Sequence, residues 1–283
     1  MIMWVKAYKK ATDDLTRGEG NPWANLALDK LGGAPHAKRR FDAEEYAGAR
    51  RLKVDLEFKQ QSKREEYTDM YLSLVDSVAG ILREDGISGF DIKTGKNTYG
   101  GLTKEGKKQL QEDFITGIWG ILYGNLYDLG VKYEENRVGF LYESLDKGLW
   151  ACDNCSTLLF DVARELGVPV EVVIVPEHTR IRTEDFFFET TQDSKPGYFS
   201  VDWLTKKHRV IYAITSKLEV IDSIAYDNRA TDHFDKGEYD EAIRDFKKVI
   251  ELNPDDLDAR HYLKLAQKKK MQQQEVRRNQ GVS

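Results

Sequence analysis

Cys152, His178 and Glu189 are the residues of this 283-residue chain whose types and spacing could do chemistry. A cysteine sulfur attacks as thiolate, a histidine can take or share its proton, and a carboxylate can hold the imidazole tautomer and stabilise the imidazolium. Acting together on an amide carbonyl, such groups form a thioester that water or an amine then resolves. Other assignments compete for the same residues. Cys152 and Cys155 form a Cys-x-x-Cys pair, which also suits a redox disulfide or half a zinc site. Zinc would need two further ligands, yet there is no second cysteine pair and His36, His208, His233 and His261 are scattered. No metal and no cofactor are therefore expected. Asp185 competes with Glu189 as the orienting carboxylate.

These residues need elements to position them. After Cys152 the apolar residues Leu158, Leu159, Val162, Ala163 and Leu166 recur as one face of an amphipathic helix, which Gly167 and Pro169 stop. That places Cys152 at a helix N-terminus, where unpaired N–H groups and the helix dipole favour thiolate. Val170–Val175 is a β-branched run and reads as a buried strand. Pro176-Glu177 turns the chain, His178–Arg182 alternates polar with apolar, and Phe186–Thr190 reads as the returning strand. His178 and Glu189 share a face if Arg182 pairs with Asp185; an odd shift from that register separates them.

The run Cys152, Ser156 and Leu158, then Leu166-Gly167-Val168-Pro169, then Pro176-Glu177-His178, then Phe188-Glu189-Thr190-Thr191 resembles the transglutaminase-like core of the papain-like cysteine superfamily. More narrowly it resembles the SirB1-type branch, in which a C-x-x-x-S helix is followed by P-G-H and an N-x-E-T-T strand. The resemblance extends upstream through Leu122–Leu145. It implies an α+β fold with a helix packed on an antiparallel sheet, and a Cys152–His178–Glu189 triad with Glu189 preferred over Asp185. It also implies acyl transfer on a protein or peptide substrate, by a hydrolase, peptidase or transglutaminase. Glu177 stands where the branch usually has Gly, and Cys155 is an extra cysteine inside the motif. The oxyanion hole would use the Cys152 N–H plus one further donor, with Trp150 and Tyr142 close in sequence.

Around this core the chain divides into an N-terminal helical region and loop (1–105), the core (106–222), a helix hairpin with a capping helix (223–268) and a tail (269–283). Met1–Arg40 is weakly patterned. Phe41–Asp85 reads as one long helix or two, with a charged, solvated first part and Tyr71, Leu72, Leu74, Val75, Val78, Ile81 and Leu82 as its apolar face. Gly86–Gly106 reads as a surface loop. Its Gly95-Lys96-Asn97-Thr98 lacks the spacing of a phosphate loop. Gln109–Leu129 reads as a further helix, with Gly117, Gly120 and Gly124 on one side.

In the hairpin, Tyr226, Ala230, His233, Gly237, Tyr239, Ala242, Phe246 and Pro254 fall at tetratricopeptide (TPR) spacing. One repeat is fewer than a freestanding solenoid needs, so the hairpin is expected to pack on the core; a peptide-binding groove is the competing reading. The basic, Gln-rich tail is expected to be disordered. A net charge of −5 gives no global basic balance for nucleic acid, and no apolar run could span a bilayer. Two cysteines and an opening without an apolar signal core point to the cytoplasm. A non-catalytic interaction scaffold using the hairpin, and a thiol redox switch, are the alternatives to an enzyme.

Overall fold

The computed structural model describes residues 42–57, 61–90, 96–119, 132–133, 139–147, 149–189, 197–200 and 210–280. Its helices are α1 (Ala47–Asp55), α2 (Gln61–Glu84), α3 (Lys104–Trp119), α4 (Leu141–Lys147), α5 (Cys152–Leu166), α6 (Leu218–Asp235), α7 (Tyr239–Leu252) and α8 (Leu257–Gln280). Its strands are β1 (Lys132–Tyr133), β2 (Leu149–Trp150), β3 (Glu171–Val175), β4 (His178–Arg182), β5 (Phe186–Glu189), β6 (Gly197–Ser200) and β7 (Ala213–Thr215). The result is a mixed fold in which helices pack on a small antiparallel sheet.

Helix α5 is central because its apolar face is continuous: Leu158, Leu159, Val162, Ala163 and Leu166 are all buried. Its end is chemically specified. Gly167 adopts the left-handed conformation (φ 66°), and the N–H of Val168 reaches back to the Ala163 carbonyl at 2.9 Å. The sheet runs β6-β5-β4-β3-β7. Val172, Ile174, Ile181 and Phe188 join the main core beneath α5 and α2, while Val173, Val175 and Phe187 form a second cluster. A period of two thus gives the sheet two buried faces.

The helical region before the core is two helices, and its first part is not solvated. Ala47, Gly48, Ala49, Arg51 and Leu52 of α1 are buried against the core. Small residues permit this approach: a Cβ on Gly48 would stand 2.0 Å from the Tyr71 ring. The start of α1 has no capping side chain of its own, and Asp161 of α5 supplies one. Its carboxylate accepts the N–H groups of Ala47 (2.9 Å) and Gly48 (2.8 Å) and the Tyr71 hydroxyl (2.7 Å). The charge in this stretch is therefore partly internal, spent on joining helices.

The predicted Gly86–Gly106 loop contains a bridge between Phe90 and Asn97 and a short 3-10 turn at Tyr99–Gly101, and α3 begins at Lys104. Met1–Arg40, Gly95 and the predicted helix beyond Trp119, with Gly120 and Gly124, lie outside the described residues.

Helices α6 and α7 form the predicted hairpin, with Ala230, Ala242, Phe246 and Val249 fully buried between them and Ala259 and Ala266 of α8 closing the cluster. The hairpin starts at Leu218, and its first helix docks on α1 and the residues just after it through Arg50–Asp222 and Arg229–Glu57 ion pairs. The tail departs from the expected disorder: α8 continues to Gln280. Residues 269–280 contain no Gly or Pro, so a helix anchored by its packed first turns propagates through them at little cost. An ion pair from Lys270 to Asp240 of α7 adds a tether. No helix among the described residues is long and apolar enough to cross a membrane.

Candidate functional site

The site is built where α5 begins, beside the first residues of β4 and the last of β5. The β3–β4 hairpin pairs Val175 with His178, so its turn has only Pro176 and Glu177 as central residues. Glu177 takes the left-handed conformation (φ 57°), the geometry for which glycine is the low-cost residue. That turn launches His178 as the first residue of β4.

On the other side β4 pairs with β5 through Ile181–Phe188 and Arg182–Phe187. The predicted partner of Arg182 was Asp185, so the observed register is shifted by two residues. An even shift preserves the face of every side chain. Glu189 consequently reaches His178, with Nε2 and Oε1 2.7 Å apart. The same register places Glu189 opposite Arg180, whose Nε lies 2.7 Å from the second carboxylate oxygen. Both members of that ion pair are buried, at 5% and 6% side-chain exposure. Asp185, the competing carboxylate, lies in the turn before β5, where its N–H donates to the Gln111 side chain. Thr190 and Thr191 lie outside the described residues.

Cys152 is the first residue of α5 and is half-buried. Its sulfur accepts the backbone N–H groups of Thr179 and Asp153. Thr179 directly follows His178 in β4. The thiol thus sits beside β4, one peptide from the histidine. His178 engages Glu189 through Nε2, which leaves Nδ1 as the nitrogen to exchange a proton with a thiol.

The electrostatics differ from the expected ready thiolate. Burial pushes the Cys152 thiol up to about 12, and the neighbouring Asp153 carboxylate pushes the same way. The two N–H donors pull it down, Glu189 pushes it up again, and desolvation wins. A helix N-terminus favours a thiolate only as far as solvent or cations support the charge. Here the first turn is mostly enclosed and flanked by carboxylates. Cys155, one turn further, is buried and its thiol is held still higher, again by burial first. Both cysteines are unbridged. Among the described residues no cluster of His, Cys, Asp or Glu is placed to hold a metal ion. Trp150 is buried in the main core, and Tyr142 stacks on Phe140.

Two features of the site were missed in the sequence. Arg180 is one; it stands two residues from His178 in a strand and so shares its face, and a buried arginine requires a carboxylate. The other is a polar network beneath Cys152. Arg51 of α1 pairs with Asp153 and donates to the Gly139 carbonyl. Asn228 of α6 donates to the same two groups, at 2.5 Å to Asp153 Oδ2 and 3.2 Å to Gly139. Asp55, also on α1, accepts the Leu141 N–H at 2.8 Å. Burial raises Asp55 to about 7 against the pull of Arg51. Nothing in the local pattern connects residues this far apart in the chain.

Comparison with known proteins identifies one segment. A tetratricopeptide repeat model matches residues 224–256, which are most of α6, all of α7 and the turn after it. No match was found among curated proteins or solved structures.

Proposed function

We propose that this chain is a cysteine-dependent acyl-transfer enzyme acting on amide bonds of a protein or peptide, with a transglutaminase-like, papain-related core. Cys152 is the nucleophile, His178 the base and Glu189 the orienting carboxylate. The observation that carries this reading is the 2.7 Å His178–Glu189 hydrogen bond beside a sulfur that accepts the N–H of Thr179.

Cys152 rests as the thiol, because burial disfavours the thiolate. As the sulfur attacks the amide carbonyl, its proton passes to His178 Nδ1, and Glu189 stabilises the imidazolium through Nε2. The carbonyl oxygen develops negative charge, and the backbone N–H of Cys152 at the helix start is the donor proposed to receive it. Collapse breaks the C–N bond, His178 returns the proton to the leaving amine, and the acyl group stays on sulfur as a thioester. Water activated by His178 then releases the acid; an amine in its place gives transfer. Hydrolysis is preferred because water requires no second binding pocket.

The test is acylation by a p-nitrophenyl ester, followed by intact mass and nitrophenolate release. Wild type is expected to carry the acyl group on Cys152, and Cys152→Ala to carry none there. His178→Ala should slow acylation by about 10²–10⁴-fold. Equal rates in wild type and His178→Ala would remove the enzyme reading. The repeat match at 224–256 supports a second reading, an interaction scaffold, which that outcome would bring forward. As an interaction protein the chain would bind its partner through the hairpin and α8.

A further inference from the structure

The hairpin touches the chemistry more closely than an annex would. We propose that Asn228, on the first tetratricopeptide helix, is a positioning residue for Cys152: with Arg51 it clamps the Asp153 carboxylate that adjoins the nucleophile, so the repeat is part of the site's scaffold. This rests on the reading of Cys152 as the nucleophile.

The argument is geometric. Asp153 follows Cys152 in the first turn of α5 and is buried. Its Oδ2 receives both the Arg51 guanidinium and, at 2.5 Å, the Asn228 amide. The same two donors share the Gly139 carbonyl, so α1, α6, the residues before α4 and the start of α5 meet at one point. Arg51 is itself braced by Thr157 of α5 at 3.4 Å. Neighbouring contacts fix α6 in this position. Arg50 holds Asp222, and Arg229 donates to the Val54 carbonyl at 2.8 Å while pairing with Glu57 and Asp245. The docked face of α6 is therefore occupied by α1 of the same chain.

The electrostatic consequence concerns Cys152. The charged and titratable groups around its first turn are Asp153 and Cys155 on α5, Arg51 and Asp55 on α1, Asp227 on α6, Glu189 on β5, and His178 and Arg180 on β4, the last paired with Glu189. Most are acidic, and Arg51 is the cation among them that pairs with Asp153. Asn228 adds two N–H donors without adding charge. Removing them leaves the Asp153 carboxylate with only the Arg51 guanidinium on Oδ2 and the Asn154 N–H on Oδ1 (2.9 Å), and an aspartate in its place sets a second carboxylate against the first. Either change strengthens the negative field at the sulfur.

The experiment uses the full chain with Asn228→Leu, which is near-isosteric and lacks the donor, and Asn228→Asp. Cys152 is alkylated at pH 9 by neutral iodoacetamide and by anionic iodoacetate, with adducts assigned by peptide mass spectrometry. A change in access alters both rates alike, whereas a change in field alters their ratio. The iodoacetamide-to-iodoacetate ratio is expected to rise from wild type through Asn228→Leu to Asn228→Asp, by about threefold or more in the last. Folding is checked by circular dichroism, and whichever variant folds decides. Unchanged ratios in folded variants overturn the proposal, and so does loss of folding in both, which would make Asn228 a stability residue only. The change in ratio on substituting Asn228 requires no proton transfer to His178. A moved ratio with acylation indifferent to His178→Ala would keep the clamp and discard the triad; the reverse pattern would do the opposite.

Discussion

Glu189→Gln is the obvious way to disarm the proposed triad, and the structure predicts that it does more than that. The glutamine amide can still approach His178, but it removes the negative charge that the buried Arg180 guanidinium pairs with. That guanidinium is 5% exposed, and its partner Glu189 Oε2 is 2.7 Å away at 6% exposure. At a charge separation near 4 Å and an effective dielectric of about 20, the attraction is roughly 4 kcal/mol. Removing one partner of such a buried pair typically costs about 3–5 kcal/mol, because the other charge stays desolvated. We therefore expect Glu189→Gln to lose about 3 kcal/mol or more, a fall of about 1–2 M in the urea midpoint for a chain of this size. Arg180→Leu should also destabilise, but by less, because His178 still holds the buried Glu189 carboxylate through Oε1. The double variant should lose clearly less than the sum of the two, by at least about 2 kcal/mol, since neither charge is then buried alone. The assay is urea unfolding of all four proteins followed by far-ultraviolet circular dichroism. Additive losses, or a loss below about 1 kcal/mol for Glu189→Gln, would refute the reasoning.

Two further outcomes follow from the same structure. Asp161 is fully buried and desolvation raises it to about 6, against hydrogen bonds from Gly48, Tyr71 and Ala47 that favour its ionised form. A raised carboxylate contributes stability below its unfolded pKa and loses it as pH rises through the folded value, so between about pH 4 and 6 the wild type should lose up to about 3 kcal/mol at this site. Asp161→Asn should therefore be most destabilising near pH 4 and milder at pH 7, read from thermal melts of both proteins; a gap that widens with pH would contradict it. Glu177→Gly should raise the melting temperature by a few degrees, because it relieves about 1 kcal/mol of left-handed backbone strain at φ 57°. A lower melting temperature would show that the Glu177 side chain contributes more than its backbone costs.

Much of the local architecture was legible in the residues alone. The face of α5, its glycine stop, the β3–β4 turn and the small-residue seam of the hairpin are short-range patterns, set by a period of 3.6 or 2 and by residues that only certain turns accept. The reach of His178 to Glu189 was legible only as a condition on register. The ladder met it through an even shift because His178 and Glu189 keep a shared face under any such shift, and the buried Arg180 partner favours this one. The tail was misread from its composition: polarity there marked a solvated helix carried forward from a packed start.

What the sequence determined by itself was therefore the set of elements and which side chains share a face, since both follow from neighbours a few residues apart. The ionisation of Cys152 and the contact of the repeat with the site were decided by the tertiary structure. The thiol is held up by burial and by carboxylates from α5 and β5, and Asp153 is clamped by residues from α1 and α6, distant in the chain. Desolvation and charge depend on everything that surrounds a group in space, and no local pattern encodes that.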